Sequence, residues 1–186
     1  MGLTLQFLGT GTSVGVPMIG CHCPVCISAD PRDKRRRSGL YVTSSAAAFV
    51  IDTPPDFRQQ CLDAKIERVD AVVFTHSHMD HTAGFDDIRR FNTLNGGKVL
   101  NAYGAQETLD SLRHIFPYIS DHKNTLGLYR PLIDFIPVDG PFTIGDVTLT
   151  PLPVEHGPRT NGYLLESGGR RAVYIPDCIR IPPDVL

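Results

Sequence analysis

The sequence predicts a single α/β domain built on mixed sheets. Short period-two apolar stretches alternate with two helical stretches, and several hairpin signals punctuate the 186 residues. That length suits one domain. Hydrophobic residues at 41% and charged residues at 20% are enough to build a core. With 17 Gly and 15 Pro the chain must also turn often.

Taken in order, Leu3, Leu5 and Phe7 alternate with Thr4 and Gln6, which is the pattern of a strand. The glycine-punctuated stretch from Gly9 to Pro17 lacks the Gly-Lys-Ser/Thr of a phosphate-cradling loop and is expected to be a turn. Residues 39–45 and 46–52 form a hairpin. Pro54 and Pro55 open a helix over 55–65, in which Cys61 packs into the core. Residues 70–74 make a short buried strand that runs into the polar cluster 75–81. A strand over 98–103 precedes a helix over 105–116, with Leu109, Leu112 and Phe116 at helical spacing. Strands follow at 132–137, 141–152, 161–166 and 171–175. There is no internal repeat, low-complexity tract or interdomain linker.

Charge and cysteine narrow the function classes. Lys plus Arg is 18 and Asp plus Glu is 20, a formal net charge of −2. Binding of nucleic acid or an anionic membrane through bulk positive charge is therefore excluded, although a local basic patch is not. No apolar run approaches the roughly 20 residues that span a bilayer, and the first residues lack the order of a signal peptide. The expectation is a cytoplasmic protein with no membrane partner. Of five cysteines, Cys21, Cys23 and Cys26 lie within six residues. A disulfide over so short a stretch would be strained, whereas thiolates in a reducing compartment suit a soft metal ion. The run Arg32-Asp33-Lys34-Arg35-Arg36-Arg37 is expected to be a solvated face, with a phosphate-steering edge as the alternative. Arg89 and Arg90, on an expected helix, are candidate phosphate contacts, while His114 and His122 are expected on the surface or in the core.

The strongest chemical signal is His76-Ser77-His78-Met79-Asp80-His81. On a helix, His76 and His78 would point about 200° apart. In an extended strand end they share a face and one metal ion, and a turn can aim Asp80 and His81 at a neighbouring point. Such a ligand supply suits two cations roughly 3.5–4 Å apart. The plainer alternative is a set of surface histidines in a loop. His156 and Asp177 each follow an apolar strand, where functional residues collect on α/β scaffolds, yet alone either one could be a cap or turn residue.

His76-x-His78-x-Asp80-His81, followed at a distance by His156 and Asp177, resembles the metallo-β-lactamase superfamily. The segments Phe7–Ser13, Cys21-x-Cys23-x-x-Cys26 and His81–Asn92 are similar to the branch of phosphodiesterases accessory to carbon–phosphorus lyase. The resemblance covers essentially the whole chain. It implies an αββα sandwich of mixed sheets over 1–186, carrying a small cysteine metal-binding loop at 20–27. It further implies two divalent ions, zinc or manganese, with His76, His78 and His156 on one, Asp80 and His81 on the other, and Asp177 bridging. Asp52 would brace the motif loop, with structural capping as the alternative, and Cys21, Cys23 and Cys26 would hold a structural zinc. The family supplies a further histidine to each metal site from a C-terminal segment. No histidine follows Asp177 here, so the domain is expected to lack that closing segment.

Two divalent ions offset by Asp80, Asp177 and one hydroxide keep a net positive charge of about one, which suits an anionic phosphodiester. Hydrolysis of small or cyclic phosphodiesters is thus the expected activity, with Asp80 and Asp177 catalytic. The alternatives are a tRNA 3′-processing nuclease, a thioester hydrolase, or a non-catalytic metal-stabilised accessory protein. Nucleic acid is the less favoured partner, and self-association into a homodimer stays open.

Overall fold

A computed structural model describes residues 2–119 and 129–185. Strands β1 (Thr4–Gly9), β2 (Gly39–Thr43), β3 (Ala48–Ile51), β4 (Ala71–Val73), β5 (Leu100–Gly104) and β6 (Ile133–Pro137) form one sheet in that order. Its first three strands pair antiparallel and β3 to β6 pair parallel, so the sheet is mixed. Strands β7 (Phe142–Ile144), β8 (Val147–Val154), β9 (Thr160–Ser167) and β10 (Arg170–Tyr174) form a second, antiparallel sheet. The helices are α1 (Pro24–Ile27), α2 (Phe57–Asp63), α3 (Met79–Thr82), α4 (Arg89–Leu94) and α5 (Gln106–Ile115).

Side-chain alternation builds two cores. Val50, Val72, Leu100 and Ala102 point to one face of the first sheet, where Phe57 of α2, Phe91 of α4 and Leu109 and Leu112 of α5 cover them. Phe49, Ile51, Ala71 and Val73 point to the other face and meet Val147, Leu149, Tyr163 and Leu165 of the second sheet. Strands buried on both faces read as unbroken apolar runs, which is why 48–51 and 71–73 show no polar alternation. The described residues thus stack helices, sheet and sheet, three of the four layers expected. At one end Asp146 ties the layers together, accepting from Ser45 Oγ at 2.6 Å, Ala46 N at 3.2 Å and Ser44 Oγ. Beside it Gly145 has φ +60, and a Cβ there would lie 2.8 Å from Ala47 Cβ.

Several expectations need correction. Residues 141–152 are not one strand but the hairpin of β7 and β8, broken at Gly145-Asp146. Pro54 and Pro55 precede α2 rather than open it, and the Asp56 carboxylate turns away to accept from Arg37 N at 3.0 Å, so it does not cap the helix. Phe7 alternates as expected but is 60% exposed, because β1 is an edge strand and its ring meets Tyr174 alone among the ring contacts described. The basic run lies at the surface as expected, and three of its arginines are paired there: Arg32 meets Asp30 at 2.6 Å, Arg36 meets Asp63 at 2.5 Å, and Arg37 meets Asp56 at 3.2 Å. His114 is exposed, Cys61 is buried as expected, and His122 lies outside the described residues. No described helix is long and apolar enough to cross a membrane.

Candidate metal centre

Past Val73 the chain stays extended instead of turning at once, because both neighbours hold it. Phe74 N donates to Tyr103 O at 2.8 Å, Asn161 N donates to Thr75 O at 3.0 Å, and the buried Tyr163 hydroxyl donates to Phe74 O at 2.8 Å. His76 and His78 therefore converge, with His76 Nε2 3.1 Å from His78 Nδ1. His78, still extended, then caps the short helix α3, whose single turn swings Asp80 and His81 to the next position.

Asp52 organises this loop from beneath. It is fully buried, with φ +66, a left-handed conformation that aspartate tolerates better than most residues. Its carboxylate accepts from Thr75 N at 2.9 Å, Thr75 Oγ1 at 2.8 Å and His81 Nδ1 at 2.7 Å. Thr75 has one hydroxyl proton and gives it to Asp52. The 3.0 Å contact between Thr75 Oγ1 and His76 Nδ1 must then be donated by the ring, leaving the His76 Nε2 lone pair free. His81 Nδ1 likewise carries a proton, which it donates to Asp52, and this turns its Nε2 toward Asp80 and Asp177. One carboxylate orients two rings.

The second sheet brings the remaining groups. Glu155 N donates to Arg180 O at 3.0 Å and Ile179 N donates to Glu155 O at 2.7 Å, so the chain after β8 and the chain after β10 are laced together. Arg180 Nε adds a 3.0 Å bond to Glu155 Oε1. That lacing sets His156 beside Asp177. His156 Nε2 lies 3.3 Å from His78 Nδ1 and 3.8 Å from Asp177 Oδ2, while His81 Nε2 lies 3.4 Å from both Asp80 Oδ2 and Asp177 Oδ2. Asp177 stands between His81 and His156.

Electrostatics follows burial. Burial pushes His76 down to about 4, keeping it neutral. Burial also opposes charge on His81, but the carboxylates of Asp52 and Asp177 outweigh it and raise that imidazole to about 10. The hydrogen bond from His81 holds the Asp177 carboxyl below its usual range.

The donor set fits divalent cations. His76, His78 and His156 form one group of ligand atoms within 4.8 Å of one another, and His76, His81 and Asp177 form another. Four tetrahedral nitrogens at 2.0–2.1 Å from zinc would lie about 3.3–3.4 Å apart, close to the spacings seen. Three thiols, Cys21, Cys23 and Cys26, also lie within 4.8 Å of one another at the start of α1. The backbone N–H of Cys26 is the main influence that lowers the Cys23 thiol to about 7, favouring the thiolate a metal needs.

Arg89 pairs with Asp86 at 2.8 Å and lies over the Tyr129 ring at 5.2 Å, and Arg90 lines a cavity that includes no member of the histidine–aspartate cluster. The Arg89 guanidinium is thus drawn to a carboxylate three residues back. Thr75, Glu155 and Arg180 were not anticipated individually. Thr75 was signalled by its place as the first polar residue after an apolar strand, whereas nothing in the sequence pairs Glu155 with Arg180.

Residues 48–186 match the family model described as a beta-lactamase superfamily domain. An octanoyltransferase of Porphyromonas gingivalis is 44% identical over 153 residues, covering 81% of this chain but only 30% of that protein. The coenzyme PQQ synthesis protein B of Methylobacterium radiotolerans is 29% identical over 210 residues, covering 96% of this chain and 67% of that protein. The crystal structure of a diphosphatase from the PhnP family superposes with a TM-score of 0.79 at 38% identity, covering 89% of this chain and 62% of that one.

Proposed function

The chain belongs to the metallo-β-lactamase superfamily, and from that premise we propose that it is a metal-dependent hydrolase of small or cyclic phosphodiesters. The observation that carries this reading is Asp177, poised between His81 Nε2 and His156 Nε2 at 3.4 and 3.8 Å. A carboxylate in that position can serve two cations at once. His76, His78 and His156 would hold one divalent ion, zinc or manganese; Asp80 and His81 would hold the other; Asp177 would touch both. When bound, such a pair supplies Lewis acidity to phosphoryl oxygens and lowers the pKa of water.

The protein's own groups do the rest. Asp52, directly and through Thr75, orients the His81 and His76 rings so that their Nε2 atoms face the metal positions. The fixed ring orientations spare the site reorganisation as charge builds on a substrate. Asp80 and Asp177 bring two negative charges against the four positive charges of two divalent ions, so the centre attracts anions. Similarity to a PhnP-family diphosphatase at 38% identity supports a phosphorus centre over a lactam or thioester carbonyl. The net charge of −2 gives no broad cationic surface for a tRNA. Cys21, Cys23 and Cys26 would hold a separate zinc that stiffens the loop before β2.

The test loads the purified chain with Mn²⁺ or Zn²⁺ and compares bis(p-nitrophenyl) phosphate, a cyclic nucleotide, a lactoyl thioester and a pre-tRNA. Turnover of the first two that disappears in His76→Ala supports the reading. Preference for the thioester or the pre-tRNA, or no turnover at all, overturns it.

A further inference from the structure

Helices α2 and α4 lie against the same face of the first sheet, with the Phe57 and Phe91 rings 6.3 Å apart, and a cavity of about 320 Å³ opens between them. Its walls are Phe57, Cys61, Ile66 and Phe91. Its lips are Leu62 and Leu94, which are 54% and 45% exposed. The exposed Arg58 and Arg90 also line it, with a single carboxylate, Asp87. The lining therefore has one positive charge in excess beside its apolar residues. None of these residues belongs to the histidine–aspartate cluster, and the cavity is separate from the reaction proposed above.

We propose that this cleft binds a linear medium-chain carboxylate, with the alkyl tail between α2 and α4 and the carboxylate held by Arg58 and Arg90. The volume is in the range of small-molecule sites. At about 30 Å³ for a group the size of a water molecule, it takes about ten such groups, which matches a chain of about eight carbons with its two carboxylate oxygens. The head has its partners already in place, because guanidinium forks pair with carboxylates through charge-assisted bonds. Burial pushes the Asp87 carboxyl above its usual range, while Arg89 and Arg58 pull it back, so a single carboxylate answers the two guanidinium groups of the cleft. A neutral or cationic head would leave two guanidinium groups facing one carboxylate.

Isothermal titration of the full chain with hexanoate, octanoate and decanoate, below their micelle concentrations, tests this. Saturable one-to-one binding is expected, tightening about fourfold per added methylene. Decanol and decylammonium should bind at least tenfold more weakly than decanoate. The surface variants Arg58→Gln and Arg90→Gln should each weaken decanoate about tenfold, and Leu94→Asp should remove the dependence on chain length. Absence of saturable binding overturns the proposal, as does equal affinity for decanol or indifference to both arginine variants. A dimer in sedimentation that buries the cleft and is unmoved by decanoate also overturns it, because the occupant would then be a second copy.

Discussion

His81 Nδ1 lies 2.7 Å from Asp52 Oδ2, and neither side chain has more than 1% of its surface exposed. The same carboxylate holds both the backbone and the hydroxyl of Thr75. Removing it strands several buried donors together, each costing about 1–3 kcal/mol. Asp52→Ala should lower the melting temperature and weaken metal binding about 10- to 100-fold. Asp52→Asn keeps one acceptor and tolerates the positive φ, so its loss should be smaller. Competition with a chelating dye and calorimetric melting would check both, and equal effects of the two changes would contradict the account.

His76 belongs to both ligand groups, whereas the cysteines stand apart. Elemental analysis of His76→Ala should therefore show loss of metal from the histidine–aspartate cluster while the thiol-bound equivalent stays. Cys23→Ser should show the reverse. Coupled loss in either variant would mean that the two centres are not independent.

The pairing of Glu155 with Arg180 is exposed, so its contribution to global stability is small. Its effect should appear instead at His156 and Asp177, which ride on the chains it joins. Arg180→Ala is expected to melt like the parent after EDTA treatment yet to bind cation several-fold more weakly and turn over substrate more slowly. A change in melting of the stripped protein with unchanged affinity would refute this.

Acid should release the clasp at the far end of the sheets. Hydrogen bonds from Ser44 and Ser45 are the main causes that lower Asp146 from 3.8 to about 2. A depressed carboxyl stabilises the fold above its unfolded pKa, and that stabilisation fades as pH falls from near 4 toward 2. Asp146→Asn should thus melt below the parent at pH 5 to 7, with the gap closing by pH 2. A gap that persists at pH 2 would assign the effect to packing.

Much of this organisation follows from local pattern. Val72-Val73-Phe74 before a polar cluster marks a buried strand opening into a site, and Leu109, Leu112 and Phe116 mark the helix that covers it. His76 and His78 at a spacing of two demand an extended backbone if they are to act together, and the structure holds them so. Other features depend on partners far along the chain. Asp52 adopts φ +66 because Thr75 and His81 reach it from a loop over twenty residues away. Arg89 turns to Asp86 and Tyr129, and the fate of Arg32, Arg36 and Arg37 was set by Asp30, Asp63 and Asp56, none of which a charge run can declare. The break at Gly145 inside an apolar stretch reflects contact with Ala47 in the other sheet.

His76, His78, Asp80 and His81 hang from the first sheet, while His156 and Asp177 hang from the second. A cation held among them would act as a rivet through the seam between layers. Its escape into chelator would then time the sliding of one layer over the other, and ligands added at the substrate mouth would slow that clock without touching the hydrophobic seam itself.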